Sequence, residues 1–165
     1  TKAFNLSYKR ITISTSGILP KIEKFISDKE KYKLAISLNA PNDEIRNKII
    51  PINKKWNIEM ILKSLKKYEF NKTTPIMFEY IMLKNFNDSS EDAIELAKFF
   101  SESEYKLNLI PFNEVGDKYS RSTNERIDEF AKILNKRAPK LRVLVRWSKG
   151  EDIDAACGQL ATNNG

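Results

Sequence analysis

Cys157 is the only cysteine among 165 residues, and the chain contains no histidine. It stands in "DIDAACGQLA", residues 152–161, between Asp152 and Asp154 on one side and Gly158 and Gln159 on the other. A single thiol excludes an internal disulfide. One cysteine without histidine excludes a zinc or iron–sulfur site built from this chain alone. Histidine general-base catalysis and a Cys-His hydrolase are excluded on the same ground. The neighbouring carboxylates disfavour a thiolate, so a reactive Cys157 needs its activation from elsewhere; otherwise it is a small buried hydrophobe. The second group of residues able to do chemistry is polar and recurs after apolar runs: Ser14, Thr15, Ser16 and Gly17; Ser37, Leu38 and Asn39; Pro111, Phe112 and Asn113; Trp147, Ser148, Lys149 and Gly150. Hydroxyl, amide and glycine groups of this kind suit a polar small molecule with hydroxyl, amino and carboxylate groups, and they are also ordinary turn formers. "STSG" lacks the glycine pattern of a dinucleotide or P-loop site.

The elements that must position these groups are legible as alternating patterns. Apolar, β-branched runs at 10–15, 33–38, 75–83, 106–112 and 141–147 predict largely buried strands. Helix-period segments lie between them, at 20–30, 41–50, 57–70, 89–101 and 123–137. Ile58, Ile61, Leu62 and Leu65 share one face of the third of these. Ser89 with Asp92 forms a capping-box pattern, and Asn124 is the expected N-cap of the last helix. Alternation throughout predicts βαβ crossovers and a parallel sheet, hence an α/β layer or part of a barrel. In such folds ligands bind beyond the carboxyl ends of the strands, which places the polar groups on one rim with Cys157 just past it.

The length fits one folding unit. Lys and Arg total 29 against 22 Asp and Glu, a net charge of +7 that favours an anionic partner or, equally, a solvated lysine-rich surface. The cations form a helix-and-loop set (Lys54, Lys55, Lys63, Lys66, Lys67) and a late set (Lys136, Arg137, Lys140, Arg142, Arg146, Lys149) that flanks the strand leading to Cys157. The late set, with Tyr119 and Trp147, suits phosphate holding and base stacking. No run of eighteen apolar residues occurs, and a cytoplasmic protein with no membrane partner is expected.

"RITISTSG", "LAISLNAPNDEIRNKIIPINKKWNIE", "EYIML", "LNLIPFN", "RSTNERIDEF" and "DIDAACGQLA" follow one another from about Lys9 to Ala161. Together they resemble the carboxyl-terminal part of the RlmN/Cfr family of radical S-adenosylmethionine (SAM) RNA methyltransferases, on the dual-specificity branch that methylates C2 of adenine in 23S rRNA and tRNA. The resemblance implies an α/β fold, the carboxyl-terminal half of a parallel-stranded radical SAM partial (β/α) barrel, starting near its third strand. On this basis residues 1–165 are part of one core domain, with a frayed tail at about 162–165. SAM is then held by Ser14, Ser37, Leu38, Asn39 and Asn113, and Cys157 is the methyl-carrying cysteine. In the implied reaction one SAM methylates the thiol. A second SAM yields a radical that takes a hydrogen from the S-methyl group, and the resulting methylene radical adds to adenine C2. C2 is electron-poor, which is why a carbon radical replaces an electrophilic methyl group.

The resemblance further implies a [4Fe-4S] cluster fed by an electron donor, 23S rRNA and tRNA as partners, and a monomer. The family's C-x-x-x-C-x-x-C motif, its Gly-Glu SAM motif, its second cysteine and its amino-terminal domain have no counterpart here, so no metal ligand is expected in this chain, and the chain by itself is expected to be inactive. Asn39 stands where many members carry histidine. A Cfr-like C8 methyltransferase is the nearest alternative, and a non-catalytic basic RNA-binding α/β module is the alternative of another class. If the chain begins at the third barrel strand, that strand presents an unpaired, apolar edge.

Overall fold

The computed structural model describes residues 7–66, 76–102, 104–114 and 116–147. Five parallel strands, β1 (Thr12–Thr15), β2 (Lys33–Ser37), β3 (Met77–Met82), β4 (Lys106–Pro111) and β5 (Arg142–Val145), form one sheet in the order β1-β2-β3-β4-β5. Five helices connect them: α1 (Leu19–Ser27), α2 (Asp43–Ile49), α3 (Ile58–Leu65), α4 (Ser90–Phe100) and α5 (Asn124–Arg137). Consecutive strands are neighbours throughout, as expected of a sheet that curls toward a barrel and not of one that is doubly wound about a switch point.

All five expected strands form, each trimmed at one or both ends. Arg10 belongs to a short 3-10 turn, Tyr8–Arg10, and Leu83 makes an isolated antiparallel bridge with Arg121. β3 shows how the two faces differ: Phe78, Tyr80 and Met82 are buried, while Met77, Glu79 and Ile81 are half-buried. The first trio joins Leu34, Ile36, Leu107 and Leu109 in a core completed by Ile22 and Phe25 of α1, Ile58, Ile61 and Leu65 of α3, Leu96 and Phe100 of α4, and Phe130 and Leu134 of α5. Leu62 packs against this core from its margin. The other face carries the polar residues in register: Ser37 pairs with Glu79, Glu79 with Asn108, and Asn108 with Leu144.

Each of the last four helices starts with a side-chain cap. Asn42 accepts from Ile45 N at 2.9 Å, Asn57 from Met60 N at 2.9 Å, and Ser89 forms the reciprocal box with Asp92. The cap of α5 is Thr123, accepting from Arg126 N at 3.3 Å, and not Asn124. Asn124 is the first helical residue, and its Oδ1 accepts instead from Arg121 Nη2. Both residues are good caps. The helix begins one residue earlier than expected, and Ile127, Phe130 and Leu134 are its buried residues. The segment 67–70, read as a continuation of α3, lies outside the described residues, as do Lys67, Lys149 and Cys157. Among the described residues no helix is long and apolar enough to cross a membrane.

Candidate ligand-binding rim

The carboxyl ends of β1 and β2 meet at the side chain of Arg46. This residue lies on α2 and is fully buried. Its Nη2 donates to the carbonyl of Ser16 at 2.7 Å and to that of Ser37 at 3.0 Å; its Nε donates to the carbonyl of Leu38 at 3.1 Å. Nη1 donates to Asn53 Oδ1 at 2.7 Å. Asn53 in turn donates to Asp43 Oδ1 at 2.9 Å and to Asn47 Oδ1 at 2.9 Å, and Asp43 Oδ1 also accepts from Ile58 N at the start of α3. Burial pushes the guanidinium down to about 10, with Asp43 opposing the shift, and that leaves it a full cation at neutral pH. Gly17 sits against this group with φ of 101°. A Cβ there would come within 2.7 Å of Ile61 Cδ1 and 3.0 Å of Arg46 Nη2, so glycine is needed both for the turn and for the close approach. Thr15 Oγ1 accepts from Gly17 N at 3.2 Å and Ile18 N at 3.4 Å, which rounds the turn off.

A second buried pin holds the ends of β2 and β3. Asn87 Nδ2 donates to the carbonyls of Asn39 (2.8 Å) and Ile81 (2.9 Å), and its Oδ1 accepts from Leu83 N at 2.7 Å. Its own carbonyl accepts from the Tyr80 hydroxyl at 2.7 Å, a phenol that burial keeps protonated. Asn39 is left-handed at φ of 57°, a conformation that asparagine tolerates better than most residues. Its Oδ1 accepts from Ile81 N at 2.9 Å.

Against this frame the expected site residues separate. Ser14 is exposed on β1 and pairs in register with Ala35. Ser37 is half-buried at the end of β2, and Ser16 is exposed one residue past β1. Ser14 and Ser37 lie on adjoining strands, and Ser16 just past the end of the first. Leu38 has its side chain in the core, its N–H donated to the Glu79 carbonyl at 2.9 Å and its carbonyl on Arg46, so it serves as floor more than as a side-chain contact. Asn39 has committed its Oδ1 to β3, which leaves its Nδ2 as the donor to offer. Asn113 is exposed two residues past β4, which lies two strands from β2 in the sheet. Phe112 and Phe86 make edge contacts with Tyr119, at 6.5 and 5.3 Å between centroids, and Lys118 lies over the Tyr119 ring at 5.2 Å. Trp147 is 44% exposed.

Three polar residues of this rim were not singled out from sequence. Glu79 and Asn108 stand at alternating positions inside apolar strands, a visible signal of a second face that is not a plain core. Arg46 falls on the stripe Asn42, Arg46, Ile50, Asn53, where a charged residue at a core-facing helical position was the available clue. Asn108 is buried and its Oδ1 accepts from Arg146 Nε at 3.4 Å. Lys106 is held below the usual lysine range by burial and by the charges of Arg142, Lys33 and Arg146; Lys33, Lys106 and Arg142 open their strands, whereas Arg146 lies one residue past β5.

Among the described residues no group of three His, Cys, Asp or Glu side chains could hold a metal ion, and one cysteine without histidine cannot ligate an iron–sulfur cluster. No protein-family model matches the chain. Among solved structures it is similar to a radical SAM methyltransferase from Sphaerobacter thermophilus, with a TM-score of 0.82 and 36% identity over 94% of this chain. The match spans 45% of that protein, so the chain corresponds to less than half its length. It is also similar to a domain of pyruvate-formate lyase-activating enzyme from Bacteroides vulgatus ATCC 8482, with a TM-score of 0.61, covering 82% of this chain and 80% of that one. At 14% identity this second likeness concerns the fold alone. The architecture is therefore that of a radical SAM methyltransferase-like partial parallel (β/α) barrel.

Proposed function

We propose that this chain is the SAM-binding and methyl-carrying portion of a radical SAM RNA methyltransferase acting at C2 of adenine in 23S rRNA and tRNA. The observation that carries the proposal is the placement of Ser14, Ser16 and Ser37 on adjoining carboxyl strand ends of a parallel sheet that matches a radical SAM methyltransferase at 36% identity. The donor set suits SAM: exposed hydroxyls, the Asn39 amide and, in the next row, the Glu79 carboxylate can meet ribose hydroxyls, an ammonium and a carboxylate. When bound, SAM supplies the methyl group and the means of radical initiation. The residues present do not fit the iron–sulfur cluster, so its thiolates belong to another part of the protein or to another chain. This portion orients the ligand from below, through Ser14 and Ser37 on strands fixed by buried pins, and offers Cys157 as the acceptor thiol. The net charge of +7 and Arg146, one residue past the carboxyl end of β5, support an anionic partner such as RNA.

The test uses the complete protein in which this chain occurs. After reaction with methyl-labelled SAM, the peptide containing Cys157 is expected to carry one additional methyl group, and Cys157→Ala to abolish RNA methylation while leaving SAM affinity within about threefold of wild type. Nucleoside analysis of the product distinguishes C2 from C8 methylation. Methylation that persists in Cys157→Ala would remove the proposed role. Salt-dependent RNA binding unaffected by that change, with no methylation in the wild type, would favour the RNA-binding module.

A further inference from the structure

We propose that Arg46 is a positioning residue for the SAM site: by gathering the carbonyls of Ser16, Ser37 and Leu38, it sets the angle at which β1 and β2 present the Ser14, Ser16 and Ser37 hydroxyls. The inference rests on the functional reading above and adds to it a residue that touches no ligand.

The chemistry of the contact favours arginine specifically. Three carbonyl oxygens from two strands and one amide oxygen converge on a single fully buried side chain. A guanidinium has five N–H donors in a rigid plane and can serve all four acceptors at once. An ammonium has three donors at one point and cannot span them. Among the described residues Arg46 has no direct carboxylate partner; Asp43 is reached only through Asn53. An isolated buried cation is a poor device for stability alone, since apolar replacements of buried ionic groups are often neutral or better. Placement of carbonyls is a task that an apolar residue cannot perform.

The geometry also explains why the effect reaches the ligand. The Ser16 carbonyl is turned inward onto Nη2, and the Ser16 side chain is exposed. The Ser37 carbonyl meets the same nitrogen, so the last peptides of adjoining strands are tied to one atom. Gly17 lets the chain pass close to the guanidinium, where a Cβ would come within 3.0 Å of Nη2. Asn53 fixes the guanidinium plane from the opposite side and is itself held by α2 and its cap region, through Asn47 and Asp43. Loss of Arg46 frees two strand ends to relax independently, and hydrogen-bonding ligands are sensitive to displacements well under 1 Å.

The experiment compares SAM affinity with thermal midpoint in the complete holoprotein, for wild type, Arg46→Lys, Arg46→Met and Leu134→Ala. Leu134 is a buried core residue of α5 on the far side of the sheet sequence and serves as a control for destabilisation alone. Binding of labelled SAM is measured by equilibrium dialysis well below every midpoint. Both Arg46 variants are expected to bind SAM at least about tenfold more weakly, with the lysine no better than partly restored, while Leu134→Ala stays within about twofold of wild type despite a lower midpoint. If the Arg46 variants do not fold, Asn53→Ser, which releases Nη1 together with the Asn53 bonds to Asp43 and Asn47 but leaves the three strand-end carbonyls on Arg46, is expected to weaken SAM by about threefold. Wild-type affinity in whichever of these variants folds overturns the inference while leaving the functional reading in place. A wild-type protein that does not bind SAM overturns both.

Discussion

Asn87 makes three side-chain hydrogen bonds and two through its backbone from a fully buried position, and they join the end of β2 to β3 and to the following turn. Asn87→Ala leaves the buried Leu83 N–H and the partly buried Asn39 and Ile81 carbonyls without this partner. The expected loss is about 2–4 kcal/mol of stability, measured by urea denaturation. Asn87→Asp is the sharper test, because it keeps the acceptor for Leu83 N–H but turns the donor into a carboxylate facing two carbonyls. It should be at least as damaging at neutral pH and recover partly in acid, where a protonated carboxyl can donate one bond. Equal stability of Asn87→Ala and wild type would show that the pin does not hold the rim. Residues such as Asn87 and Arg46 were not legible from sequence for a physical reason. Their partners lie up to 48 positions away, and an asparagine in a turn or an arginine in a helix looks locally like an ordinary surface residue. Ser14 and Ser37 were legible, because the strand end that exposes them is itself written in the apolar run before it.

At the scale of elements, the strands could be read because each is a short apolar, β-branched run bounded by polar residues, and both faces of β2 are largely covered. What blurred was the boundary of α5, where Thr123 and Asn124 offer equivalent local capping chemistry. The tie is broken by the phase of Ile127, Phe130 and Leu134, a constraint from the core and not from the cap. The assignment predicts a clean contrast. Thr123→Ala should lose about 1 kcal/mol and Asn124→Ala well under about 0.5 kcal/mol, since the latter removes only a surface contact with Arg121. Ser89→Ala should lose about 1 kcal/mol, because the Ser89 hydroxyl accepts from Asp92 N and donates to Asp92 Oδ2, while the other half of the box, from Ser89 N–H to Asp92 Oδ2, survives. Chemical denaturation of the three single variants measures the contrast, and a larger loss at Asn124 than at Thr123 would move the helix start.

At the scale of the whole molecule, the sheet separates two kinds of work. One face and its helices supply the apolar core, and the other carries a polar row, Ser37–Glu79–Asn108, above a band of cations at the amino ends of the strands. Within it Lys106, partly desolvated beside Arg142, Lys33 and Arg146, opposes folding in its charged form. For a lysine whose folded-state value lies below the usual one, the folded protein binds fewer protons than the unfolded chain. The penalty is therefore full below the folded-state value and is relieved as pH rises through it toward 10.5. Lys106→Met should accordingly raise stability at neutral pH by a modest amount, below about 1 kcal/mol because solvent screens the partners, and the gain should shrink at high pH and at high salt. The same substitution should weaken RNA binding by the complete protein and flatten its salt dependence by about one counterion if Lys106 meets a phosphate. The two effects have opposite signs: the first follows from desolvation of Lys106 and its cationic neighbours, the second only if the RNA of the proposed function reaches this end of the sheet. Thermal melts at two pH values, together with RNA titrations across salt, measure both. A variant that is more stable but binds RNA with unchanged affinity and slope would place the nucleic acid on another surface and leave the cation band without a bound phosphate.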